Sequence, residues 1–304
     1  MHDPANRRGI IGMSIAMGLF ITNDALVKLV SASLPGPQLI CIRGLFASTL
    51  MLVVCQALGA FKRDTTTGEL PISQLLNRRL LVRASLDAAA SMVYLTSLFH
   101  LPLPNATAIN SATPMFITMM AVVAFKEKVG AARWLAIVVG FVGVLFIVQP
   151  AAAGFNGWAL LCLSGTLLHS ARDLMTRVIP ARIPSLLITL STVLAVSLLS
   201  GVISLYQGWL PFTARQLALL AAASVLLSGG YFLLIGAMRQ GDISLITPFR
   251  YTALLFALAL GWLLWGDVPN LLALTGIALL VAAGIFMLTR GRQSQSTTLD
   301  AAPE

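Results

Sequence analysis

The sequence predicts an all-α membrane protein: ten transmembrane helices in two inverted five-helix repeats, with the N- and C-termini cytoplasmic. Three observations lead there. Of 304 residues, 58% are hydrophobic and only 10% charged, with a mean hydropathy of +0.88; a soluble domain is about 45–50% apolar and about 25% charged. The apolar residues come in blocks of about 20, the length a helix needs to cross roughly 30 Å of hydrocarbon. Alternating ten-residue strands, the signature of a barrel, are absent, so the spans are helices that satisfy their own backbone polar groups. Finally, basic residues gather in every second link.

The elements follow in order. Span one, 10–30, lies in the run GIIGMSIAMGLFITNDALVKLV and closes at the turn LPGP, 34–37. Within it Asp24 and Lys28 stand four residues apart, hence on one face. They read as an ion pair that orients the helix, or as a gate. Span two, 38–59, carries Arg43 with no acid near it in sequence, so its partner comes from another helix or from an anionic substrate. The polar stretch 60–80, with KRDTTTGEL and NRR, reads as a surface loop or a short interfacial helix. Span three, 81–100, sets Asp87, Ser91 and Tyr94 at i, i+4 and i+7, a continuous polar stripe. Asp87 lies deep enough either to exchange a proton or to bridge to an arginine elsewhere.

Span four, 105–125, follows LPLPN and shows Asn105, Thr107, Asn110, Thr113 and Pro114. Polar side chains beside a proline that frees a carbonyl suit a cavity lining, or hydrogen bonding between helices. Span five, 133–149, is apolar with two glycines, and PAAAGFNG leads into span six, 156–176, where His169 precedes Asp173 by one turn. Spans seven and eight cover 185–206 and 216–238; the latter aligns Ser224, Ser228 and Tyr231 beside Gly229 and Gly230. Span nine, 243–265, contains TPFRY: Thr247, Arg250 and Tyr251 are expected on one face, after a kinking proline. Arginine offers a forked donor for carboxylate or phosphate, and tyrosine a ring and a hydroxyl. Span ten, 269–289, precedes a polar tail, 291–304, expected to be disordered.

Charge orients these spans. Arg7, Arg8, Lys62, Arg63, Arg78, Arg79, Arg83, Lys126, Lys128, Arg133, Arg177, Arg182, Arg239, Arg290 and Arg292 all fall on one side, against Arg215 alone on the other. The positive-inside rule makes the richer side cytoplasmic. The +9 net charge is therefore a topology signal, and nucleic acid is not an expected partner. The apolar run after Arg7–Arg8 is too long for a secretory leader. Cys41, Cys55 and Cys162 show neither metal nor disulfide spacing, so no cofactor or metal is expected.

Shifting the chain on itself by 149 residues lays NDALVKLVSASLP, 23–35, over RDLMTRVIPARIP, 172–184. Asp24 meets Asp173, Lys28 meets Arg177 and Pro35 meets Pro184. A shift of 140 lays FKEKVG over WGDVPN, so that Glu127 meets Asp267. The halves, 9–149 and 156–290, hold five spans each, and an odd number inserts them in opposite senses. Inverted repeats allow a midplane site between halves to face either side by near-symmetric motions.

On the residues NDALVK, PQLICIRGLFAS, LPLPNATAINSATPMFITMMAVVAFKEKVG and GDISLITPFRYTALLFALALGWLLWGD, the chain resembles the EamA-type members of the drug/metabolite transporter superfamily, over about 9–290. The resemblance implies a ten-helix secondary transporter of the bacterial inner membrane. Substrates of the family include amino acids and derivatives, metallophores, vitamins such as riboflavin, sugars and nucleotide derivatives. Asp267 stands where glutamate is usual.

These readings together give a multi-pass transporter of a small polar organic metabolite, amino-acid-like or anionic, with export as the expected direction. The substrate-binding candidates are Arg250, Tyr251, Thr247, Arg43, Asn110, Tyr94 and Tyr231. The coupling or gating candidates are Asp87, Asp24, Lys28, His169 and Asp173. Protons or a counter-substrate are the expected coupling species, since no Walker motif is present. Uptake of riboflavin or a nucleotide-like metabolite is the alternative, and a membrane sensor or scaffold without flux is a third reading. An intramembrane enzyme is not expected, because the sequence holds no clustered catalytic or metal-ligating motif. Monomer and homodimer both remain open.

Overall fold

The computed structural model describes residues 4–61, 75–126, 130–149, 156–176, 178–180, 183–240 and 246–299. All of its regular elements are helical: α1 Pro4–Ser31, α2 Gly36–Ala57, α3 Arg78–His100, α4 Leu103–Asn110, α5 Thr113–Phe125, α6 Ala131–Val148, α7 Trp158–Thr176, α8 Ser185–Gln207, α9 Ala214–Gln240, a 3-10 turn Thr247–Tyr251, α10 Thr252–Trp265 and α11 Leu271–Leu299. Among the described residues, seven stretches are long and apolar enough to cross a membrane: Arg7–Ser31, Gly36–Ala57, Leu103–Phe125, Ala131–Val148, Ser185–Gln207, Ala214–Leu234 and Thr247–Trp265. A shorter apolar stretch, Leu271–Met287, lies in α11. Helices α3 and α7 are as long as their neighbours but carry Arg78, Arg79, Arg83 and Asp87, and His169, Arg172 and Asp173, which lower their hydropathy. The chain is a multi-pass membrane protein.

Two of the expected spans are interrupted. Span four breaks into α4 and α5 at Ser111–Ala112, immediately before Thr113–Pro114. Pro114 has no N–H to continue the ladder, while the Thr113 hydroxyl donates to the Asn110 carbonyl at 2.6 Å. Span nine opens as the 3-10 turn with Pro248 at its start. At the other end of the chain, α11 runs on through the polar segment after Arg290 as far as Leu299. No proline stands between 291 and 299 to stop it. Residues 300–304, Lys62, Arg63, Glu127, Lys128, Arg177 and Arg182 lie outside the described residues, and with them the Asp173–Arg177 pair and most of the 60–80 stretch.

Contacts divide the chain into two compact units. One comprises Thr22–His100 and Leu161–Ser228; the other comprises Met1–Ile21, Leu101–Leu160 and Gly229–Glu304. In the first unit α2 and α3 pack on α8. Small residues let them approach: Gly44 faces Ser197 with no room for a methyl group. Ser48 Oγ and Ser197 Oγ lie 3.2 Å apart, 149 residues apart in sequence, which is the shift of the internal repeat. The buried serines of α8 answer their own hydroxyls by donating to carbonyls three or four residues back, as Ser197 does to Val193 at 2.6 Å and Ser200 to Val196 at 2.7 Å. That is how a hydroxyl is tolerated where water is absent. An apolar cluster of Met51, Cys55, Leu80, Ile183, Leu187 and Leu190 closes one end of this unit.

In the second unit α6 packs on α11, and α4 on α10. Gly143 and Gly276 meet backbone to backbone: a Cβ on Gly143 would lie 2.6 Å from the Gly276 carbonyl oxygen. Such close approach favours helix association in lipid, where apolar burial gives no driving force. The opposite face of α6, with Leu135, Val138, Val142 and Leu145 at helical spacing, is exposed, as a lipid-facing stripe should be.

Hydrogen bonds between links have a common pattern. Gln38, at the start of α2, exchanges two hydrogen bonds with the backbone of Leu210 between α8 and α9, at 2.7 and 3.0 Å. Gln216 donates to Ser33 at 2.7 Å. Arg79, at the start of α3, donates to the Val178 carbonyl between α7 and α8 at 3.1 Å. In the other unit Gln149, after α6, and Asn270, before α11, exchange amide hydrogen bonds at 2.9 and 3.2 Å. Each pair joins links that the charge alternation assigns to the same side.

Candidate substrate and coupling site

The first unit gathers most of the ionisable side chains expected inside the membrane. Arg43 reaches from α2 to α1, where its Nη1 donates to the Asn23 side-chain oxygen at 3.3 Å. Asn23 in turn donates to Asp24 Oδ1 at 2.9 Å, and the Tyr94 hydroxyl of α3 donates to Asp24 Oδ2 at 3.2 Å. Three helices are thus tied by one half-buried carboxylate and one buried guanidinium. Arg43 finds its partner across helices, one of the two outcomes its sequence context allowed. Ser224 of α9 supports this layer by donating to the Arg43 carbonyl at 2.9 Å. Lys28 sits one turn beyond Asp24, half-buried.

A second layer lies about 10 Å further along α3, seven residues from Tyr94 at 1.5 Å rise. Asp87, buried, takes Arg172 Nη1 of α7 at 2.7 Å and Arg83, one turn before it, at 3.8 Å. Arg172 also binds its neighbour Asp173 at 2.7 Å. Arg83 spreads its guanidinium further, to Thr176 at 2.9 Å and to Thr192 of α8 at 2.6 Å. His169 stands between the layers: its ring lies 5.6 Å from that of Tyr94. Gly165, one turn before His169, meets the Tyr94 backbone where a Cβ would lie 3.0 Å from its nitrogen. This contact brings α7 and α3 close enough to pair their charges.

The second unit holds the remaining candidates. In a 3-10 turn three residues complete a turn, so Thr247 and Arg250 eclipse while Tyr251 rotates away. The expectation of one face for all three is corrected on that ground: Arg250 is exposed, Thr247 half-buried and Tyr251 buried. The Tyr251 ring fills the space left by Gly284 of α11, and its buried hydroxyl has no hydrogen-bond partner among the described residues. Tyr231 meets Phe20 edge-on at 5.1 Å. Asn110, half-buried, ends α4 at the break. The stripe Ser224–Ser228 is committed to backbone carbonyls, which makes it a packing feature.

Sequence reading gave Arg172 no role, counted Arg83 among the link residues and passed over Asn23. Arg83 carried a usable signal, its i,i+4 spacing to Asp87. Asn23 carried none beyond adjacency to Asp24.

The EamA-like transporter family model matches residues 7–149 and again 156–290. The chain belongs to that family. It is 25% identical over 281 residues to the pseudopaline exporter CntI of Pseudomonas aeruginosa, covering 92% of this chain and 95% of that protein. It is 30% identical over 210 residues to the riboflavin transporter of Rhizobium johnstonii, 69% and 70% of the two chains. Against the S-adenosylmethionine uptake transporter of Rickettsia bellii the identity is 25% over 296 residues, 93% and 96%. A solved crystal structure 16% identical superposes with a TM-score of 0.63 over 93% of this chain and 98% of the other, a likeness of fold. This family member is a transporter and not an enzyme.

Proposed function

We propose that this transporter moves a small polar organic metabolite, amino-acid-like or anionic, across the bacterial inner membrane by alternating access, in the direction of export. The observation that carries the reading is the two-layered charge network of the first unit. Ionisable groups inside a membrane are costly and mark transport or coupling pathways by default, and here Arg43, Asp24, Asp87, Arg172 and Asp173 tie four helices together. The exposed Arg250 supplies a forked donor for an anionic group. An exporter among the relatives supports the direction, and the S-adenosylmethionine carriers, whose solute is a methionine derivative, support an amino-acid-derived solute.

Ten spans with cytoplasmic termini, in two inverted repeats, fit the same-side pairing of the links and the Ser48–Ser197 contact at the repeat shift. Coupling to protons or a counter-substrate runs through Asp87, Asp24, His169 and Asp173, with Lys28 beside them. The test is flux in proteoliposomes: solute efflux against a panel of amino-acid derivatives, with and without a pH gradient. Binding without flux for every solute, in protein of proven orientation, would overturn it. Uptake of riboflavin is the second reading, favoured by the 30% identity to a riboflavin transporter; accumulation of riboflavin fluorescence inside the vesicles would decide for it.

A further inference from the structure

Within the second unit a cavity of about 240 Å³ opens between the start of α4, the end of α6 and the start of α11. Pro102 and Pro269 form stiff walls, and Asn105, Gln149, Asp267 and Asn270 supply the polar groups. We propose that it binds a small organic ammonium ion, held by the Asp267 carboxylate and the Asn105 side-chain oxygen.

The hydrogen-bond inventory selects the ligand. Gln149 and Asn270 satisfy one another, and the Asn270 oxygen also accepts from the Ala273 N–H at 2.8 Å. They are fixed walls rather than open ligands. Asn105 Oδ1 is buried and has no donor among the described residues. An acceptor left unanswered away from water is costly, and a ligand N–H recovers that cost. Only the backbone N–H of Asp267 is bonded, to the Gly261 carbonyl at 3.1 Å; its carboxylate has no ion-pair partner among the described residues.

The loop that carries Asp267 is positioned twice over. Gly266 takes a left-handed turn, φ 69°, that ends α10, and Gly261 lies so close to the Pro104 ring that a Cβ would be 2.8 Å from it. One carboxylate and one carbonyl oxygen, with no lysine or arginine on the wall among the described residues, suit a donor cation and reject a carboxylate. Calcium requires six to eight oxygen ligands, more than are offered here. The volume lies below that of a drug-sized pocket, about 300–1,000 Å³, and admits an amine of a few heavy atoms. The proposal holds whichever solute crosses the membrane.

Equilibrium dialysis of the purified full-length protein in detergent, with radiolabelled ethylammonium and acetate as probes, tests it. Ethylammonium is expected to bind saturably at millimolar concentration and acetate not. Asp267→Asn should weaken ethylammonium binding by about tenfold or more, the loss expected for a charge-assisted hydrogen bond. Asn105→Leu should weaken it by a smaller factor, and Asn105→Asp should tighten it. Both Asp267→Asn and Asn105→Asp alter a partly exposed residue, and a folding check by circular dichroism accompanies each. Absence of saturable ethylammonium binding to the native protein, equal binding to folded Asp267→Asn, or equal binding of acetate overturns the assignment. Because the readout is binding, this result is independent of whether metabolite flux is found.

Discussion

Removing the Asp87 charge should destabilise the protein, and removing the Arg172 charge with it should restore part of the loss. Arg83 and Arg172 face Asp87 and Asp173, so the four charges sum to zero. Asp87→Asn leaves one positive charge in excess beside side chains only 13% and 16% exposed. Deleting one partner of a buried pair costs about 3–5 kcal/mol. Arg172 keeps Asp173 at 2.7 Å, so the expected cost falls to about 2 kcal/mol. Arg172→Gln alone leaves one negative charge in excess and should cost a similar amount. The double variant returns the cluster to neutrality, Arg83 against Asp173. It should therefore be more stable than the sum of the singles by about 1.5 kcal/mol or more, within the range of coupled neighbours. Denaturant unfolding in detergent, followed by tryptophan fluorescence, measures all four corners of the cycle. Strict additivity would mean that Asp87 and Arg172 do not stabilise one another, and the network would lose its central link. Flux measured on Asp87→Asn across a pH series then separates roles: a flat profile with flux retained marks Asp87 as the proton carrier.

Arg250→Ala should abolish solute binding while leaving stability within about 0.5 kcal/mol, as expected for an exposed side chain; unchanged affinity would remove Arg250 from the substrate site. A maleimide that cannot cross membranes should label Ala32→Cys and Arg78→Cys from opposite sides of the bilayer. The native cysteines are buried and should stay silent; labelling of both positions from one side would refute the span count. Gly143→Val should cost about 1–3 kcal/mol by forcing α6 from α11, whereas Gly130→Ala, which meets nothing within 4 Å, should be neutral. Equal unfolding midpoints for the two variants would show that the Gly143–Gly276 contact does not govern this packing.

The helices were legible because each apolar block is long enough to require one, and because every second link is basic. What the sequence could not supply is which helix lies beside which. Arg43 and Asn23 are 20 residues apart, and Arg172 and Asp87 are 85 apart; no local pattern ties them. Ser48 and Ser197 are separated by the same 149 residues as the repeat shift, yet that spacing alone does not imply touching. Proline positions revealed that spans four and nine are disturbed. They did not reveal that the turn at Thr247 winds with three residues per turn, and that difference in winding carries Tyr251 about 120° round from Thr247 where an α-helix would leave them about 40° apart.

On the proposed ten-span arrangement, the charge network also bears on how α3 and α7 would lie in the membrane. Among the described residues of 4–240 they are the two long helices outside the apolar stretches named above, and they carry the charges that pair with each other. An isolated α3 would bring Arg83 and Asp87 into lipid, and an isolated α7 would bring Arg172 and Asp173, each at a cost of a few kcal/mol per charge on insertion scales. Together they present a neutral cluster whose guanidinium donors are further occupied by Thr176 and Thr192. On that arrangement each helix would depend on the other, and α8, which supplies Thr192, is bound into the same unit. Such mutual dependence suits a transporter: a change in the protonation or pairing of one side chain is felt at once by every helix that relies on it, whereas a purely apolar bundle offers no group through which a solute or a proton can act.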